Sequence, residues 1–175
     1  MREINRYIVY GQCNTGKTLL CNLLSESYVN TYYYQPSIGV EIFTRDINIS
    51  TPKTLQFWDL CGDAYYYNII KRYFNLSDNL ILTYDTSDIK SFYFLKRAVL
   101  LLNTENKKVI ILGTKCDLED VNNNFTEDVE MYANNRNFKY YKVSIYKRET
   151  IDNFVKNLNE LIGDEQDVEC SCNIL

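Results

Sequence analysis

Near the amino end, Gly11-Gln12-Cys13-Asn14-Thr15-Gly16-Lys17-Thr18 restricts the fold more than any other part of the chain. It fits Gly-x4-Gly-Lys-Ser/Thr and sits between two apolar stretches of different period. Arg6 to Tyr10 reads as a buried strand, while Leu19-Leu20 with Leu23-Leu24 has helical spacing. A strand, a glycine loop and a helix must follow one another here. The glycines let the loop wrap so that backbone N–H groups converge on phosphate oxygens, and the helix adds its positive end. Lys17 can reach the terminal phosphates and the Thr18 hydroxyl can ligate Mg²⁺. The segment therefore offers Gly11, Cys13, Asn14, Thr15, Gly16, Lys17 and Thr18 as phosphate-binding candidates.

The rest of the chain supports one domain built around that loop. Its 175 residues are enough for a single core. Short apolar runs at Leu55 to Trp58, Leu80 to Leu82 and Val109 to Leu112 alternate with helical periods over 88–102, 126–135 and 150–162. A strand over 40–49 is joined to the one at Leu55 by the turn signal Ser50-Thr51-Pro52. Such alternation implies an α/β fold with an open, mostly parallel sheet, and ligands at the carboxyl ends of its strands. The expected domain covers 1–163, followed by a short polar, acidic tail over 164–175.

Composition removes several function classes. There is no histidine, so Ser-His or Cys-His catalysis and histidine metal sites are excluded. With 19 Lys+Arg against 23 Asp+Glu the chain carries −4, which argues against nucleic-acid binding. No secretion signal precedes the loop and the six cysteines have no framework spacing, so reduced thiols in a cytosolic protein are expected.

Further groups complete the loop. Asp59 follows the strand Leu55 to Trp58, where a carboxylate can join the shell of Mg²⁺. Ser37, ahead of Ile38-Gly39-Val40, offers a second hydroxyl to the metal, and the bare backbone of Gly62 can approach a γ-phosphate. The metal candidates are Thr18, Ser37 and Asp59.

The strand Val109 to Leu112 runs into Gly113-Thr114-Lys115-Cys116-Asp117, and here the chain resembles the Ras superfamily of small GTPases, its Rab branch most closely. Ser37-Ile38-Gly39-Val40-Glu41-Ile42, Leu55-Gln56-Phe57-Trp58-Asp59, Arg72-Tyr73-Phe74 and Tyr84-Asp85-Thr86-Ser87-Asp88 extend the resemblance from residue 6 to 162. It implies a P-loop NTPase G domain, with a six-stranded, mostly parallel sheet and helices on both faces, holding GTP or GDP with Mg²⁺. Asp117 would accept from guanine N1 and N2, and Lys115 would pack along the base and the glycine loop. Thr114 stands where the family has Asn. A hydroxyl has less hydrogen-bonding capacity than an amide, which bears on affinity more than on base choice. Val143-Ser144-Ile145 falls where the family has Ser-Ala-Lys, so the backbone N–H of Ile145 would meet guanine O6, with Ser144 as a further nucleotide-binding candidate. Tyr28 would stack on the purine. Switch I would span 32–39 and switch II 59–72, with Ile42 (where Phe is usual), Trp58 and Tyr73 reading effectors.

Against the family's Asp-x-Ala-Gly-Gln-Glu, this chain has Asp59-Leu60-Cys61-Gly62-Asp63-Ala64. Lys17, Gly62 and Asp63 are the catalytic candidates, but Asp63 replaces the water-positioning Gln. A carboxylate only accepts and adds negative charge beside the phosphate, so slow intrinsic hydrolysis is expected. The end, Cys170-Ser171-Cys172-Asn173-Ile174-Leu175, loosely fits a prenylation signal on Cys172, with Cys170 as a second lipid site. By resemblance the partners are exchange factors, GTPase-activating proteins, Rab-type effectors and prenyl-binding chaperones. The expected place is the cytoplasmic face of intracellular membranes with a cytosolic pool, as a monomer. A hydrolysis-deficient decoy that sequesters Rab regulators or effectors is the rival. A small-molecule kinase would have no use for Thr114 to Asp117 or the tail.

Overall fold

The computed structural model describes residues 3–25, 39–47, 52–102, 104–118 and 125–162. Six strands, β1 (Glu3–Gly11), β2 (Val40–Ile47), β3 (Lys53–Leu60), β4 (Asn79–Asp85), β5 (Lys108–Thr114) and β6 (Lys139–Lys142), form one sheet in the order β2-β3-β1-β4-β5-β6. Among the described residues only β2 and β3 pair antiparallel; every other neighbouring pair of these strands is parallel. The helices are α1 (Lys17–Leu24), α2 (Tyr67–Ile70), α3 (Ile89–Leu101), α4 (Phe125–Asn134) and α5 (Arg148–Ile162), with 3₁₀ turns at Ala64–Tyr66 and Tyr73–Leu76.

Strand alternation divides the core into two layers. Ile8, Tyr10, Leu80, Leu82, Tyr84, Val109 and Ile111 point to the face covered by α2, α3 and α4 through Ile70, Phe92, Leu95, Val99 and Val129. Their neighbours Tyr7, Val9, Ile81, Ile110 and Leu112, with Leu55 and Phe57, point the other way, where Leu20, Cys21 and Leu24 of α1 and Ile151, Phe154 and Leu158 of α5 close over them. This accounts for the continuous apolar runs of β4 and β5: buried on both faces, they have no polar side to show.

Strand order sets the position of the site. From β1 the sheet grows towards β3 on one side and towards β4 on the other, so the carboxyl end of β1 opens a crevice at the switch point. The glycine loop leaves β1 there. Gly16, at φ 80°, makes the left-handed step that starts α1 and that a side chain would strain.

The expected elements are all present with shifted bounds, as far as the described residues go. β1 begins before its apolar run because Glu3 to Asn5 pair with Lys53 to Leu55. β3 continues to Leu60, so Asp59 lies inside the strand rather than after it. β6 carries Lys-Tyr-Tyr-Lys, with no apolar run to announce it, and exists because Lys139 to Lys142 pair with Ile110 to Gly113. Asp88 caps α3 by accepting from the Lys90 N–H at 2.9 Å, and Glu127 and Asp128 lie in the first turn of α4. The expected boundary at 163 lies outside the described residues, as do residues 48 and 49 of the expected strand and Ser50 and Thr51 of its turn signal.

Candidate nucleotide-binding site

The glycine loop is braced from several sides. Lys17 is buried, and its ammonium donates to the Gln12 carbonyl at 2.9 Å. Burial pushes its pKa down and the nearby Asp59 carboxylate works against that shift. The Thr15 hydroxyl donates to the same carbonyl at 2.9 Å. Asn14 takes a left-handed φ of 65°, and Cys13 is exposed, with partial desolvation holding its thiol above the ordinary pKa. Gly62 lies directly against the loop: a Cβ built on it would come 2.2 Å from the Gly11 carbonyl oxygen and 2.7 Å from the Cys13 nitrogen. Only glycine fits where the two segments touch.

At the start of α1 the Thr18 hydroxyl donates to Asp59 Oδ2, and Asp59 is wholly buried. One hydroxyl and one carboxylate, both hard oxygen donors, thus meet beside the loop. That donor set suits Mg²⁺, which combines one or two protein oxygens with phosphates and waters. Among the described residues no three of His, Cys, Asp or Glu gather into a metal-binding group.

Behind the loop opens a cavity of about 280 Å³ lined by Gly16, Leu19, Leu23, Lys115, Asp117 and Tyr146, among others. Thr114, Ser144 and Ile145 also line it. The Thr114 hydroxyl, buried at the end of β5, lies 2.7 Å from the Thr15 carbonyl and 2.9 Å from that of Tyr84, tying the loop to β4 and β5. The Ser144 hydroxyl donates to Asp117 Oδ1 and accepts from the Tyr146 N–H at 3.0 Å. Lys115, at φ 58°, reaches Asp85 with a contact of 2.6 Å. Burial raises the Asp85 carboxyl, but hydrogen bonds from Lys115 and Ser87 outweigh it and hold the group below the usual carboxylate range. An acceptor carboxylate, a lysine stem and flat apolar walls make a slot for a planar base with donor groups on one edge.

Asp63 takes a part not evident in its sequence. Its carboxylate accepts from the Tyr65 N–H at 2.9 Å and caps the 3₁₀ turn at Ala64–Tyr66. Ile42 lies across from Trp58 in the β2–β3 register and is 50% exposed; the Trp58 and Tyr73 rings are 5.9 Å apart, half-buried. Arg6 lies 5.9 Å from the centre of the Trp58 ring. These three side chains therefore share one surface. Tyr28, Ser37, Cys170 and Cys172 lie outside the described residues, as does most of 32–39.

Sequence reasoning missed Leu19, Leu23, Leu118 and Tyr146 as cavity walls, and Asp85 as the partner of Lys115. Leu19, immediately after Thr18, was the one most open to detection, since a residue at the first turn of α1 must flank whatever the loop holds.

The Ras family's sequence model matches residues 6–164. The Ras-related protein RABD2c of Arabidopsis thaliana is 27% identical over 143 residues, 79% of this chain and 70% of that protein. The Ras-related protein Rab-13 of Rattus norvegicus is 26% identical over 158 residues, 87% of this chain and 77% of its own. The GTP-binding protein Rab-3D of the same species is 24% identical over 165 residues, 91% and 74% of the two chains. With the glycine loop at the switch point, a base slot beside it and a match over nearly the whole length, the chain belongs to the Ras family of small GTPases, close to its Rab members.

Proposed function

We propose that the chain is a Rab-like switch that binds GTP and GDP with Mg²⁺, hydrolyses GTP slowly, and acts in vesicle traffic from a lipid-anchored position on the cytoplasmic face of intracellular membranes. The observation that carries the nucleotide reading is the convergence of Lys115, Asp117 and Ser144 on one cavity joined to the glycine loop through Thr114. Asp117 can accept two donors, which matches the N1 and N2 edge of guanine and not the single donor on the corresponding edge of adenine.

Thr18 and Asp59 would hold the magnesium ion, which when bound neutralises charge shared by the outer phosphates. Lys17 would leave the Gln12 carbonyl for a phosphate oxygen, and Gly62 would offer its N–H at the same end of the loop. Asp63 stands where an amide would both orient water and donate to the developing charge. Its carboxylate supplies neither donation nor neutrality, so unassisted turnover stays at or below the roughly 10⁻⁴ s⁻¹ of an intrinsic small GTPase.

Ordering of 32–39 and 59–72 by GTP would present Ile42, Trp58 and Tyr73 to effectors. Exchange factors and activating proteins would act on the same switches. No helix among the described residues is long and apolar enough to cross a membrane. The terminal cysteine motif supports a lipid on Cys172, with Cys170 as the second site and prenyl-binding chaperones as carriers.

Identification of the nucleotide released on denaturing the purified protein tests the reading. GTP or GDP is the expected result, and an adenine nucleotide or none would refute it. Loss of membrane partition in Cys172→Ser is the expected result for the anchor, and unchanged partition would remove it.

A further inference from the structure

We propose that Thr83 is a positioning residue for nucleotide binding, holding the glycine loop in shape through the Thr15 hydroxyl. Thr83 is a polar interruption in β4, between Leu82 and Tyr84, and has no exposed surface. A hydroxyl buried in an apolar strand needs a partner, and its oxygen lies 2.9 Å from the Thr15 oxygen. Proton counting and distance together give the direction. Thr15 has a single hydroxyl proton and the Gln12 carbonyl takes it at 2.9 Å, while the other acceptor open to Thr83, the Tyr10 carbonyl, stands at 3.5 Å, so the shorter contact makes Thr83 the donor to Thr15. The result is a directed chain from Thr83 to Thr15 to the Gln12 carbonyl.

That carbonyl is also where the Lys17 ammonium rests at 2.9 Å. When Lys17 turns to a phosphate, the Gln12 carbonyl loses its charged donor and keeps the Thr15 hydroxyl, itself oriented by Thr83. A second observation places Thr83 under the loop. A Cβ at Gly11 would lie 2.2 Å from the Thr83 carbonyl oxygen and 2.3 Å from its hydroxyl oxygen, so the first glycine of the loop is seated on this residue. Thr83 does not line the cavity that would take the base, and its hydroxyl acts on the loop through Thr15.

The inference rests on guanine-nucleotide binding at this loop, and the test separates the two. Binding of a fluorescent GDP analogue to the wild-type protein reads the site itself, and the ratio of release rates between variant and wild type reads Thr83. Thr83→Val keeps the shape and removes the proton; it should release the analogue roughly tenfold faster, the effect of one buried hydroxyl bond. Thr83→Ser keeps the proton and should release it within about twofold of wild type. In the Thr15→Val background, Thr83→Val should add little, because its acceptor is gone. Release from Thr83→Val at the wild-type rate, or equal acceleration in Val and Ser, would overturn the proposal. Full additivity of the two Val substitutions would also overturn it. If Thr83→Val fails to fold, Thr83→Ser and Thr15→Val decide: release from Thr83→Ser well beyond twofold of wild type, or release from Thr15→Val at the wild-type rate, would overturn the proposal.

Discussion

Thr114→Val isolates the tie between the two ends of the nucleotide site. Valine keeps the volume and β-branch of threonine, so β5 retains its packing and strand preference. What disappears is a hydroxyl 2.7 Å from the Thr15 carbonyl and 2.9 Å from the Tyr84 carbonyl. One proton serves both, so the loss amounts to one good bond and part of a second. A buried bond contributes about 0.5–1.5 kcal/mol net, and a buried group left bare costs about 1–3 kcal/mol. Carbonyls tolerate incomplete pairing better than N–H groups, which places the loss at about 1.5 kcal/mol, or roughly tenfold in an equilibrium constant. Because Thr15 belongs to the loop and Thr114 to the base slot, the loss falls on nucleotide retention. The assay is release of a fluorescent GDP analogue into excess unlabelled GDP at low and at high salt. All partners are neutral, so the roughly tenfold acceleration should not change with salt. Thr114→Asn, with two N–H donors for the two carbonyls, should release more slowly than wild type. A Val variant within twofold of wild type, or one whose excess rate vanishes in salt, would refute the reasoning.

Asp63→Gln should speed single-turnover GTP hydrolysis, and Asp63→Asn, which removes the charge and keeps a side chain able to cap Ala64–Tyr66, tells whether charge or amide reach is responsible; equal rates in all three proteins would sink the charge argument. Gly62→Ala should weaken nucleotide binding at least tenfold in direct titration, since its Cβ would sit 2.2 Å from the Gly11 oxygen and the loop must move. Asp85→Asn should destabilise the protein at neutral pH in urea titrations. Because the folded carboxyl titrates below its unfolded value, its contribution is full above the ordinary carboxylate range and is lost as pH falls through the folded value, so the gap to wild type should close in acid. Chelation of divalent cations should speed release of bound GDP, since a phosphate would otherwise lie near the buried Asp59 carboxylate without a compensating ion; insensitivity to chelator would remove Asp59 from that role.

Legibility of the sequence depended on whether a residue's job is set by its neighbours in the chain. The loop from Gly11 to Thr18 and the segment Thr114 to Asp117 were readable because a tight turn after a strand fixes its own geometry. The sheet was readable in β4 and β5, where burial on both faces leaves only apolar residues. β6 was not, because Lys139 to Lys142 become a strand only through pairing with β5, which no local pattern records. The same limit hid Asp85, thirty residues from Lys115, and the bracing of Thr15 from Thr83 and Thr114. Asp63 could be recognised as a departure from the family, whereas its second role as a turn cap required coordinates.

Taken together, the departures form a consistent set. Thr114 stands where the family has an amide, and a hydroxyl can direct only one proton where the amide directs two. Around it this chain supplies three more buried hydroxyls, on Thr15, Thr83 and Thr86, the last donating to the Lys115 carbonyl at 3.0 Å. Those of Thr83, Thr86 and Thr114 reach across to the loop or to the neighbouring strand's end, so β4, β5 and the glycine loop are laced at the level where the nucleotide would sit. A single amide gives strength at one point. A ladder of hydroxyls spreads the constraint over several weaker bonds that orient one another, and the substitution of Thr for Asn then leaves the loop anchored. The charged groups follow the same logic: Lys17 is held by Gln12, Thr18 by Asp59, Lys115 by Asp85 and Asp117 by Ser144. A nucleotide entering this site exchanges bonds that already point into it, so specificity rests on how well its phosphates and base edge match positions the hydroxyl ladder has set.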